Sequence, residues 1–114
     1  MHTFNIKSGR KTANGILLSI FISGKEIPIL FTNHALQRIK EWSIKRKDVI
    51  NSLLFPDEVL VGHGDRFIAQ KVYGKHIIRC VYEYKNNIPV IITVYFPYKE
   101  RYFEGGGRYA NKIF

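Results

Sequence analysis

The sequence predicts an α+β domain: two helices packed on one face of a twisted four-stranded antiparallel sheet, with an additional N-terminal β-hairpin. Three observations predict it. Residues 33–42 and 46–55 carry apolar side chains at spacings of three and four, the stripe of an amphipathic helix. From residue 57 onward the apolar period switches to two, as in half-buried strands. The breaks between those alternating runs are only two to four residues long, which suits antiparallel neighbours and not parallel crossovers. Helices followed by a run of strands, without alternation between them, make an α+β arrangement.

At 114 residues the chain is read as one domain, and 46% hydrophobic residues are enough for a core. Residues 1–14 are polar and basic, with turn signals at Ser8-Gly9 and Asn14-Gly15, and are expected to be partly disordered. Residues 15–31 form the hairpin, with arms at 16–22 and 25–31 around Ser23-Gly24. Pro28 has no N–H to donate, so the second arm reads as an edge or bulged strand. The first helix covers 33–42, with Ala35 or Leu36, Ile39 and Trp42 on its stripe and Thr32 or Asn33 as N-cap. The second covers 46–55, buries Val49, Ile50, Leu53 and Leu54, and stops at Pro56. Lys45, Arg46 and Lys47 crowd its start against the helix dipole, a solvated charge run or a ligand's counter-charge. Strands follow at 58–61, 66–73, 76–85 and 88–96, and Pro97 ends the meander. Residues 101–103 are expected to pair once more, and residues 104–114 form a tail released by the triple glycine at 105–107.

The charge balance narrows the partners. There are 18 Lys and Arg against 9 Asp and Glu, a net charge of +9, which biases encounters toward polyanions: RNA, DNA or an acidic protein. The single cysteine, Cys80, allows no internal disulfide and no cysteine-based zinc site, and it sits in an apolar run as a buried thiol. No apolar stretch reaches the ~20 residues of a membrane helix. Lys7, Arg10 and Lys11 before residues 16–22 imitate a signal peptide, but the apolar run is short and no small-x-small site follows. It is read as a strand and the protein as cytoplasmic.

Two groups of residues carry candidate chemistry. His34 and Arg38 stand four apart on one helix face, so a titratable imidazole lies near the helix start with a fixed cation one turn later. Such a pair can bind phosphate and move a proton. In the strands, side-chain alternation permits an assignment that puts Lys71, Arg79, Thr93 and Tyr95 on one polar-tinged face. There Arg79 offers a bidentate fork for phosphate and Lys71 a point charge. Tyr95 and Tyr102 offer rings for base stacking. The plainer alternatives are that Arg79 pairs with Glu83, that His34 and Arg38 pair with Glu41 or Asp48, and that the tyrosines only pack. His2, His63 and His76 have no evident chemical partner in the sequence. No His/Asp/Glu spacing suggests a metal, no strand–loop–helix context makes the glycine run a phosphate loop, and no nucleophilic triad is supported.

Taken in order, His34-x-x-x-Arg38, Pro56-Asp57, Arg79-Cys80-Val81-Tyr82, Ile92-Thr93-Val94-Tyr95 and Arg101-Tyr102 resemble a family of small prokaryotic domains, domain-of-unknown-function family 4258. The resemblance covers roughly residues 31–102. That family is grouped with RelE-like toxins, within the metal-independent ribonuclease folds that include barnase and colicin-type nucleases. It implies two helices on a four-stranded antiparallel sheet and an endoribonuclease needing no cofactor or metal. It also implies an acidic or disordered antitoxin as partner and RNA, free or on the ribosome, as target. By this likeness His34, Arg38, Arg79 and Tyr95 are the candidate catalytic residues. Lys71, Thr93, Arg101 and Tyr102 are the candidate substrate-binding residues. The alternatives are a non-catalytic nucleic-acid-binding module and an antitoxin-bound interaction domain whose sheet edge near Pro28 accepts a strand or helix.

Overall fold

The computed structural model describes residues 3–103, 109–110 and 113–114. Ten elements follow one another: β1 (Asn5–Thr12), β2 (Gly15–Ile22), β3 (Lys25–Thr32), α1 (Asn33–Trp42), α2 (Arg46–Leu54), β4 (Glu58–Val61), β5 (Phe67–Tyr73), β6 (His76–Lys85), β7 (Ile88–Tyr95) and α3 (Lys99–Tyr102). All the strands belong to one sheet, in the order β1-β2-β3-β7-β6-β5-β4. Its neighbours are antiparallel except β3 and β7, which run parallel and are matched at Leu30–Val90 and Phe31–Ile91. This overturns the predicted architecture. Among the described residues the sheet is seven-stranded and mixed, not four-stranded and antiparallel with a separate hairpin, and three helices are present, not two. The cause is non-local. Alternation in a strand records which face is buried, not which other strand lies alongside.

The N-terminal segment shows the same limit. Residues 5–12 form β1 rather than a disordered lead. All eight of its residues are exposed, so it lacks the apolar alternation that would mark a strand. It is held by its antiparallel ladder to β2, with a bulge between Ile6 and Ser8. Pro28 sits within β3, opposite Ser19 of β2, outside the two-residue match of β3 to β7. Its missing N–H therefore breaks none of that parallel ladder, and the true open edge is β1.

One face of the sheet makes the core. Ile20, Ile29, Phe31, Ile78, Tyr82 and Ile91 from the strands meet Ala35 and Ile39 of α1 and Ile50 and Leu53 of α2, all buried. Burial pushes the Cys80 thiol and the Tyr82 phenol above their ordinary pKa values. Thr32 anchors α1 at both ends of its own hydroxyl. The oxygen accepts the Ala35 N–H at 3.1 Å as N-cap, and the hydroxyl donates to the Ile91 carbonyl at 2.8 Å. Further along, the Trp42 indole Nε1–H donates to the Val94 carbonyl at 3.1 Å. So α1 lies beside β7 in the same sense, along the stretch that β3 leaves unpaired. Thr32→Val keeps the shape and removes both bonds. It is expected to lower stability by about 1–2 kcal/mol in urea unfolding, and an unchanged midpoint would remove Thr32 from this anchoring role.

The exit of α2 is joined to β5 by two side chains. Lys71 Nζ donates to the Phe55 carbonyl at 2.8 Å, a cation at a helix C-terminus. The Asp57 carboxylate accepts the Val72 N–H at 2.8 Å. Residues 101–103 do not pair as a strand, because α3 and its cap occupy them. The outer side of β4 meets the tail, where Tyr109 bridges Val59 and the Ala110 N–H donates to the Val59 carbonyl at 2.9 Å. The glycine run at 105–107, expected to release the tail, lies outside the described residues. Among the described residues no helix is long and apolar enough to cross a membrane.

Candidate functional site

The sheet face away from α1 and α2 carries a row of polar residues in register across four strands. Glu58 of β4 faces Gln70 of β5, Gln70 faces Arg79 of β6, and Arg79 faces Tyr95 of β7. Directly opposed residues of antiparallel strands share a face, so these side chains form one line. Thr93 stands opposite Val81, on the same face. Lys71 does not. It stands opposite Ile78 and points to the helices, where it bonds Phe55. The common face expected for Lys71, Arg79, Thr93 and Tyr95 is thus corrected by one residue, with Gln70 in the place given to Lys71. Alternation fixes the two faces of β5 relative to each other, and only its register with β6 says which of them joins Arg79.

At the end of this row a cleft of about 200 Å³ is lined by Arg79, Tyr95, Pro97 and Tyr102. The Arg79 guanidinium lies over the Tyr102 ring at 4.1 Å. The Arg38 guanidinium reaches in from α1 and lies 5.4 Å from the centre of the Tyr95 ring. Two cations thus flank two tyrosine rings. Burial pulls the Arg79 pKa down from its ordinary value, against the opposing pull of Tyr102, Tyr95 and Glu58. An arginine stays charged under such a shift. Among the described residues its Nε is buried with no hydrogen-bond partner, as are Arg38 Nε, Thr93 Oγ1 and Gln70 Oε1. Three of these atoms can donate a hydrogen bond and the fourth can accept one.

Behind the cleft the row is fully buried. Gln70 and Glu58 have no exposed surface. The Gln70 amide NH₂ donates to the Glu58 carboxylate and, at 3.3 Å, to the Tyr102 carbonyl. This ties α3, and with it the Tyr102 ring, to the sheet. Sequence reasoning missed Glu58, Gln70 and Pro97. A Glu directly after Pro56-Asp57, opening the apolar run at 59–61, was the only signal the sequence offered for Glu58, and its burial is visible only in the structure.

The other candidates are distributed as follows. His34 is exposed on the first turn of α1, one turn before Arg38, and makes no hydrogen bond, ion pair or ring contact with the described residues. Arg38 also pairs with Glu41 at 3.3 Å, as the plainer alternative has it. Glu83 pairs with Arg66 at 3.9 Å and not with Arg79. Arg101 is exposed on α3, next to Tyr102. His76, without a partner in the sequence, stacks between Phe96 and Tyr98 with both ring separations at 4.6 Å. Among the described residues no group of three or more His, Cys, Asp or Glu side chains is placed to hold a metal ion.

An α+β domain with one mixed sheet, two helices on one face and an arginine–tyrosine cleft on the other is the class that fold and site define. The profile of the family described as "Domain of unknown function (DUF4258)" matches residues 31–96, more than half of the chain, and the chain belongs to that family. The match begins near the end of β3 and ends just after β7, so it contains Arg38, Arg79 and Tyr95 and leaves out β1, β2 and α3. No curated protein and no solved structure matches the chain.

Proposed function

We propose that the chain is a RelE-like toxin that cleaves RNA without a metal, acting at the Arg38–Tyr95–Arg79–Tyr102 cleft. The observation that carries this reading is the convergence of two guanidiniums on two tyrosine rings, with buried donors on both arginines left unpartnered. Guanidinium forks suit a phosphodiester, and exposed tyrosine rings suit an unstacked base. The charge of +9 supplies long-range attraction for the polyanion. In the reaction, the ribose 2′-oxygen forms a bond to the adjacent phosphorus and the bond to the 5′-oxygen breaks. The products are a 2′,3′-cyclic phosphate and a 5′-hydroxyl. His34 takes the 2′-OH proton as general base or returns a proton to the leaving oxygen as general acid. Arg38 and Arg79 stabilise charge growing on the phosphoryl oxygens. Tyr95 or Tyr102 orients the base or the leaving group. Thr93 shares the sheet face of Arg79, Arg101 is next to Tyr102 on α3, and Lys71 has its role at the α2 terminus instead. RNA, free or on the ribosome, is the substrate in this reading, and an acidic antitoxin restrains the activity in the cytoplasm.

The test is purified protein with end-labelled RNA in EDTA, wild type beside His34→Ala. Cyclic-phosphate ends should form with wild type only, and DNA of the same sequence should stay intact because it lacks the 2′-OH. Cleavage that requires added magnesium, or that persists in His34→Ala, would discard the mechanism. The exposure of His34 without an orienting partner favours a second reading, a non-catalytic RNA-binding module. That module leaves RNA intact and binds it with an affinity that falls steeply with salt.

A further inference from the structure

The sheet has two outer strands, and they are treated differently. The β4 side meets the tail at Val59. Among the described residues β1 has no neighbour beyond β2, so its outer row of N–H and C=O groups is open. All eight β1 residues are exposed. The strand contains Lys7, Arg10 and Lys11 and no carboxylate. Lys7 pairs with Glu26 on β3, whereas Arg10 and Lys11 have no ion pair among the described residues. The bulge at Lys7 leaves residues 8–12 in unbroken register, about 17 Å of regular strand.

We propose that β1 is a docking edge for an acidic, extended segment of another protein, which adds to the sheet as an eighth strand. An open ladder binds peptide backbone, which RNA cannot imitate. The cations select the sign of the visitor. Two copies of β1 would bring like charges face to face, so the edge disfavours self-pairing. Arg10 lies opposite Leu17 and Lys11 opposite Ile16, so these two cations point to opposite faces, and a matching strand carries adjacent acids instead of alternating ones. The edge lies outside the family match and four strand spacings, about 19 Å, from β6 and its Arg79, so it is separate from the cleft. The inference does not depend on RNA cleavage.

The experiment uses the whole chain and a blocked, fluorescent octapeptide, Thr-Glu-Glu-Val-Glu-Glu-Val-Thr, followed by anisotropy and by hydrogen exchange. Binding should be at least about ten-fold tighter than that of the same peptide with lysines for glutamates. It should be lost when alternate peptide amides are N-methylated, and it should slow exchange at residues 8–12. The double variant Arg10→Glu, Lys11→Glu should bind at least about ten-fold more weakly with an unchanged circular dichroism spectrum. Equal binding of the N-methylated peptide would overturn the strand-addition model, because charge alone would then suffice. Protection at residues 8–12 by poly(U) in place of the peptide would reassign the edge to nucleic acid. Sedimentation as a dimer whose β1 amides are already protected would assign it to a second copy.

Discussion

Arg79→Ala is expected to lower RNA cleavage by about 10²–10³-fold, the scale seen when one group aimed at developing charge is removed from an enclosed site. Arg79 is the centre of the cleft. It faces Tyr95 in register, lies over Tyr102, and has its Nε buried without a partner. Glu83 is engaged by Arg66 and not by Arg79, but the buried Glu58 carboxylate interacts with the Arg79 charge, so removal of Arg79 also takes a cation from the neighbourhood of Glu58. The loss of the contact with Tyr102 is worth only about 0.5–2 kcal/mol, which the fold tolerates. Arg79→Lys keeps the charge and loses the planar fork, so it should recover only part of the activity. Single-turnover cleavage measured beside urea unfolding separates the two effects. Wild-type cleavage by Arg79→Ala would move the chemistry away from this cleft. A collapse of stability would make Arg79 a structural residue.

The largest effect on folding is expected from Gly15→Ala, on the order of 3 kcal/mol or more. Gly15 opens β2 opposite Thr32, and a Cβ there would lie 1.8 Å from the Phe31 carbonyl oxygen. No rotamer relieves that clash, because both partners are main chain. The strands must part where Phe31 is fully buried and where Thr32 caps α1 and bonds Ile91. The displacement therefore reaches Arg38 through the helix that carries it. Gly24→Ala is the comparison. Gly24 also has a positive φ, 77°, but open space surrounds its would-be Cβ, so only the backbone strain of about 1–2 kcal/mol remains. Urea unfolding of both variants checks the difference. Equal destabilisation would mean that the approach of β2 to β3 is not the cause.

What the sequence by itself determined was local. The 3.6-residue stripe, Thr32 before it and Pro56 after α2 are enough to bound both longer helices, and α1 spans Asn33–Trp42 as the period indicates. The two-residue period with its glycine and asparagine turns likewise marks β4 and β6 at Glu58–Val61 and His76–Lys85. Membership of the DUF4258 family was legible because its motifs are short and ordered along the chain. The spacing of His34 and Arg38 was legible because one helical turn defines it. The tertiary structure decided everything that required knowing which strand lies beside which. It joined β3 in parallel to β7, made a strand of the polar segment that became β1, and turned the expected last strand into α3. It also decided that Gln70 and not Lys71 joins Arg79, and it assembled Glu58, Gln70, Arg79 and Tyr95 into one row from four strands. The physical reason is the same in each case. Periodicity encodes burial relative to a single element, whereas register and strand order come from long-range pairing that buries apolar surface from both meanders in one core.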